Sequence, residues 1–279
     1  TIVKGELGCI QVLNNDFSEA LYTFMKVNSW VDAAAIAEQL LPTQKLIEFC
    51  TTHCPLEKND EFSANLRYLL ARRLLREYRF DEALKWFPVK TRHVAAEYVR
   101  LFRVGNKLST PRNERAAAFY NLGKLVRDHG DILLATELMP DYFINECQYP
   151  YNGLKNEWNN HVANLPTTRW HYRNHTGELW NRAAMLADNI DIRVAALYQG
   201  FQFFRLKSPE QAEWFYKMLC DCRPHPLAVK AWENGWNFTC KEMAVNKEIG
   251  NSLPLQEKDF AALFKRIDVK TQNKPEEKP

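Results

Sequence analysis

The sequence predicts an all-α protein, an array of antiparallel helix pairs. Three observations carry that reading. Apolar residues recur at helical spacing along most of the 279 residues, alternating runs of period two are almost absent, and the breaks between periodic stretches are short. Composition agrees. With 46% apolar and 25% charged residues the chain is ordinary globular protein, while 10 glycines are too few for a Gly-rich nucleotide fold or a turn-dense β-sandwich. Eight tryptophans and 13% aromatics supply a large core.

The elements follow in order. Phe17, Ala20, Leu21 and Phe24 fall on one helix face, after the stop signal Asn14-Asn15-Asp16. Trp30 opens the next stretch, which ends at Pro42-Thr43. Leu66, Leu69, Leu70 and Leu74 line another face, followed by Ala83, Leu84 and Phe87. Ser109-Thr110-Pro111 starts a further helix. Val194, Leu197, Tyr198 and Phe201 form a face after Asp188-Asn189, and Ala212, Phe215, Tyr216 and Leu219 form one after Ser208-Pro209. Two segments break the rhythm. Residues 140–167 are an aromatic-rich insertion, read as a functional loop or an extended flap, or as aromatics that simply cover the open helical core. Residues 251–279 are a short helix and a Lys- and Pro-rich tail. The expected division is therefore a helical array over 1–139, the insertion over 140–167, a second array over 168–250, and the tail. Because the chain opens inside a helical pattern, it is expected to be a fragment or a processed product.

One signature recurs at helix starts: Phe17-Ser-Glu-Ala20, Trp30-Val-Asp-Ala33, Phe80-Asp-Glu-Ala83 and Pro209-Glu-Gln-Ala212. An acidic or amide first turn suits the helix dipole, and Ala lets a neighbouring helix approach closely. With these residues the chain resembles the tetratricopeptide repeat, which places a small residue, Ala and an aromatic at fixed offsets in a helix pair. Gly8, Phe17, Ala20 and Phe24 match, as do Ala71, Leu74, Phe80, Ala83 and Phe87, and again Gly200, Phe203, Ala212, Tyr216 and Pro224. Ala20 and Ala83 lie 63 residues apart, not a multiple of the family's 34, so the repeats are degenerate. GELG at 5–8, WVDAAAIAEQLL at 30–41, LRYLLARRL at 66–74 and EQAEWFYKML at 210–219 further resemble large tetratricopeptide-like proteins of planctomycete, verrucomicrobial and lentisphaeral bacteria. The resemblance implies a tetratricopeptide-like α-solenoid. For localisation it implies export to the periplasm of a diderm bacterium, with the cytoplasm as the alternative.

Chemistry is sparse. No nucleophile elbow, P-loop, dinucleotide fingerprint or EF-hand is present, so no enzyme is predicted. His171 and His175 stand at i, i+4, as on metal-binding helices, but Tyr172 occupies the position where HExxH needs Glu. Cys50, His53 and Cys54 lack a fourth ligand, and Cys220-x-Cys222 lacks the two-residue spacer of zinc motifs. No cofactor is expected. Seven cysteines, an odd number, read as buried thiols rather than a disulfide scaffold. A net charge of +3 from 37 basic and 34 acidic residues does not indicate nucleic acid, and no apolar run is long enough to span a membrane.

The expected function is a non-catalytic scaffold that binds a protein or peptide segment in a concave helical groove. The alternatives are an accessory domain of a larger enzyme or secretion assembly, and a metal- or carbohydrate-active helical enzyme. In tetratricopeptide pairs the first helix lines the groove, which assigns Tyr68, Arg72 and Arg76 to one wall and Phe201, Phe204 and Arg205 to another. Aromatic and Arg side chains suit an extended peptide. On this reading, reversing the charge of Arg72 and Arg76 abolishes binding and leaves the fold intact.

Overall fold

The computed structural model describes residues 2–137, 172–204, 209–223 and 225–233. The described residues are helical throughout apart from turns, with no strand among them. In chain order the helices are α1 (Ile2–Leu13), α2 (Phe17–Lys26), α3 (Trp30–Ala35), α4 (Thr43–His53), α5 (Glu61–Arg76), α6 (Phe80–Trp86), α7 (Val89–Asn106), α8 (Arg112–Leu134), α9 (Tyr172–Leu186), α10 (Ile190–Phe204), α11 (Pro209–Asp221) and α12 (Pro226–Glu233). A π-helical turn, Ile36–Leu40, prolongs α3, and the Leu41 N–H closes it on the Ile36 carbonyl at 2.9 Å. The insertion at 140–167 and the tail at 251–279 lie outside the described residues.

Packing divides the chain into two compact units. One is Thr1–Val99 with His129–Gln148, and the other is Arg100–Asp128 with Tyr149–Pro279. Two of the boundaries, Val99–Arg100 and Asp128–His129, fall within α7 and α8.

In the first unit α2 folds back on α1, and α6 on α5. The two hairpins share one turn. Asn15 sits at φ 64°; its N–H reaches the Val12 carbonyl at 3.0 Å, and the Asp16 N–H reaches Gln11 at 2.8 Å. Sixty-three residues on, Tyr78 sits at φ 60°, with its N–H on Leu75 at 3.2 Å and the Arg79 N–H on Leu74 at 2.9 Å. These paired bonds satisfy the orphan carbonyls at a helix end and turn the chain sharply. Asn28, at φ 57°, ends α2 by the same device.

The seams correspond as well. Ala20 is fully buried and Gly8 admits the Phe24 ring so closely that a Cβ there would stand 2.6 Å from Phe24 Cζ. Ala71, Ala83 and Phe87, at the same offsets in the second hairpin, are all buried. Between the hairpins, α3 presents Ala33 and Ala34 inward, the π-turn adds Ile36 and Ala37, and α4 adds Leu46, Phe49 and Cys50.

In the second unit α9, α10 and α11 pack in succession. Glycine again lets aromatic rings in: a Cβ at Gly177 would meet Phe204, and one at Gly200 would meet Phe215 at 2.3 Å. The ring on Gly200 belongs to Phe215, one residue short of the Tyr216 that the repeat offset selects, and Tyr216 packs on Phe201 instead, with ring centroids 5.2 Å apart. Trp180 is fully buried against Gly123 and donates its indole N–H to the Tyr120 carbonyl at 3.2 Å. The end of α9 is capped by Arg193, whose Nη2 donates to the Ala187 carbonyl at 2.6 Å.

Candidate functional site

Helix α5 carries six large or small apolar residues distributed widely round its circumference: Leu66, Leu69, Leu70, Ala71, Leu74 and Leu75, all fully buried. A helix apolar on so wide an arc has little solvated face, so its arginines must find partners inside. They do. Arg72 is fully buried and pairs with Glu137, and its guanidinium lies over the Tyr68 ring, 4.5 Å from the centroid. Arg76 Nη2 pairs with Glu38 at 2.5 Å, and its Nη1 donates to the Leu134 and Ala135 carbonyls, each at 3.0 Å. Tyr68 donates its hydroxyl to the Ile132 carbonyl at 2.5 Å, and burial pushes that hydroxyl up to about 12, so it stays a donor at neutral pH. Trp30 Nε1 reaches Glu137 at 3.4 Å. Arg73 holds the far side of the helix through the Ala37 and Leu41 carbonyls, at 2.5 and 2.8 Å. Burial raises the Glu38 carboxyl above the ordinary carboxylate range, although Arg76, Arg72 and Arg73 pull it down.

The arrangement is a latch. Side chains of α5 take up the last carbonyls of α8 and two carboxylates from elsewhere in the same unit. Tyr68, Arg72 and Arg76 are thus brought together as the sequence reading expects, but inside the unit and not on an open wall. Arg72 pairs there with Glu137, and Arg76 with Glu38 and two carbonyls, so the side chains expected to grip an acidic peptide are engaged within the protein. The aromatic residues of the second expected wall are buried as well. Phe201 and Phe204 are buried, Phe201 against Tyr216 and Phe204 against Phe203 and Phe215. Arg205 lies outside the described residues.

The metal candidates separate in the same way. His171 lies outside the described residues. His175 is buried on α9, with Nδ1 3.5 Å from Glu178 Oε2, a contact that holds the Glu178 carboxyl below its usual range. Between Cys50 and Cys54, the His53 ring packs against Tyr22 and Phe49, at centroid distances of 4.9 and 4.6 Å. Cys220 and Cys222 are buried. Among the described residues no three His, Cys, Asp or Glu side chains gather as a metal site, and no helix is long and apolar enough to cross a membrane. His225 had no sequence signal. Its Nδ1 accepts the Leu227 N–H at 3.1 Å, starting α12, and its Nε2 stands 3.3 Å from Asp191 Oδ1.

An open apolar face lies on α1. Leu7, Ile10 and Leu13 are 47%, 54% and 81% exposed and run along its outer face, beside the exposed Cys9. Their counterparts 63 residues on are Leu70, Arg73 and Arg76. Leu70 is fully buried, and the two arginines are held by Ala37, Glu38 and Leu41 of the α3 extension. Among the described residues the same hairpin is therefore covered by a helix once in this unit and left open once. Comparison with protein-family models, with curated proteins and with solved structures gave no match.

Proposed function

We propose that this chain is a non-catalytic interaction scaffold of tetratricopeptide-like helix pairs, and that it receives a helix of a partner protein on the outer face of α1. The correspondence between the α1–α2 and α5–α6 hairpins carries the reading. In the second hairpin the equivalent face is occupied by a short helix whose buried residues are Ala33, Ala34, Ile36 and Ala37. The partner helix on α1 has the same small, apolar character, which permits close approach. It differs in one respect. Ile10 and Leu13 stand where α5 has Arg73 and Arg76, so the partner offers no carboxylate at the place of Glu38.

Photo-crosslinking in the native host tests this. Benzoylphenylalanine is placed at position 10 and, as a control, at the exposed Leu56. The expected result is one dominant adduct from position 10 whose crosslinked peptide has an Ala- or Leu-lined helical face, and whose yield falls at least tenfold with Leu7→Glu and Leu13→Glu. No adduct above the control, or one indifferent to those substitutions, overturns the reading.

A further inference from the structure

Two cysteines, a methionine and a buried cation lie where α2 passes the end of α4, and there the Met25 thioether meets the Cys54 thiol. Cys50 and Cys54 stand one turn apart, which places their Cβ atoms on one side of the helix, and both are fully buried free thiols. From α2, Met25 brings its thioether to 3.9 Å from Cys54 Sγ. Metal–thiolate bonds are about 2.3 Å, so two sulfurs sharing one three-coordinate ion stand about 4 Å apart. The Cys54–Met25 separation already has that value. Arg67 completes the cluster. It is buried, and its Nη1 donates to the carbonyls of Cys54, Pro55 and Lys58 at 3.1, 2.7 and 2.8 Å. Among the described residues it pairs with no carboxylate, so the protein keeps a positive charge beside two neutral thiols.

We infer that Cys50, Cys54 and Met25 form a binding site for monovalent copper, with Arg67 as its buried counter-charge. Ligand softness selects the ion, since thiolate with thioether favours copper(I). Charge selects it too. Two thiolates and one copper(I) carry a net charge of −1, which Arg67 balances, whereas a zinc bis-thiolate is neutral and leaves Arg67 uncompensated. Without metal the Cys54 thiol donates to Met25, and burial raises both thiols, so each enters the reaction protonated. Loading forms two Cu–S thiolate bonds and one Cu–thioether bond, breaks two S–H bonds and releases two protons, with no change of oxidation state. Met25 is only half-buried and offers the path of entry.

The test is anaerobic titration of the reduced full chain with copper(I) supplied as its acetonitrile complex, against a competing bicinchoninate chelator. One copper retained per chain, two protons released and X-ray absorption showing three sulfur neighbours at about 2.3 Å support the site. Met25→Leu is expected to weaken retention at least tenfold, and Cys50→Ala to abolish it. Should Cys50→Ala fail to fold, protection of Cys50 and Cys54 from alkylation by bound copper, read by mass spectrometry on the wild-type chain, decides the matter. Copper lost to the chelator, copper held equally by both variants, or copper protecting other cysteines instead overturns the inference.

Discussion

Arg72 of α5 lies fully buried against Glu137, 65 residues further along the chain. The pair ties the middle of the first unit to the stretch that leaves α8, and Trp30 and Tyr68 close over it. Removing one partner of such a pair strands the other without its counter-charge. Arg72→Ala and Glu137→Gln are each expected to cost about 3 kcal/mol in urea unfolding, the lower end of the range for buried pairs because Glu137 keeps some solvent. The double variant Arg72→Leu with Glu137→Leu should lose distinctly less than the two single losses together. Equal losses with no coupling would show that the pair does not act as a unit. The burial of Arg72 reverses the expectation from the sequence. Arg72→Glu with Arg76→Glu sets four carboxylates together and should unfold the first unit.

Gly8 and Gly5 share a helix and differ in what faces them. A Cβ at Gly8 would meet the Phe24 ring at 2.6 Å, while one at Gly5 meets nothing within 4 Å. Alanine adds about 0.5–1 kcal/mol of helix stability over glycine in open space. Pushing a buried ring out of a packed seam costs about 1–3 kcal/mol. Gly5→Ala should therefore raise the urea midpoint and Gly8→Ala should lower it. A rise in both would mean that the seam yields freely.

Much of the helical layout was legible because it is written locally. The faces at Phe17–Phe24 and Leu66–Leu74, the stop at Asn14-Asn15-Asp16 and the small–Ala–aromatic offsets are set by residues a few turns apart. The site was not legible, for a physical reason. The i, i+4 spacing of Arg72 and Arg76 is the same on a solvated stripe and in a latch. What distinguishes them is Glu38 and Glu137, brought in by chain topology across 38 and 65 residues. One local signal was available: the apolar residues of α5 leave little arc for a wet face. The shift from Tyr216 to Phe215 at Gly200 is a one-residue choice of ring that spacing alone does not fix.

Asn15 ends α1 at φ 64°, a conformation that costs a side chain with a Cβ about 1–2 kcal/mol unless it is Asn or Asp. Asn15→Gly should stabilise by a few tenths to about 1 kcal/mol, and Asn15→Ala should destabilise by about 1 kcal/mol. Chemical denaturation of the two variants reads the sign directly. If both lie on the same side of the wild type, the turn does not impose its conformation.

Asp60 starts α5 and gives the one clean pH prediction. With φ −69° and ψ 151° it is an N-cap, and its Oδ1 accepts the Ser63 N–H at 2.9 Å while its Oδ2 accepts the Ser63 hydroxyl at 2.7 Å. Those two hydrogen bonds, hydroxyl first, hold the carboxyl below its ordinary value of 3.8. A carboxyl depressed in the folded state contributes stability that is fully present above its unfolded value and disappears as pH falls through the folded one. Asp60→Ala should therefore cost about 1 kcal/mol at pH 7, the usual worth of a cap. The gap between wild type and Asp60→Ala should narrow as pH falls below about 4. Asp60→Asn keeps an acceptor oxygen but does not titrate, so its difference from Asp60→Ala should stay flat. Urea unfolding of the three chains from pH 7 to about pH 2.5 measures this. A wild-type gap that stays constant over that window would show that the charge on Asp60 adds nothing to its cap.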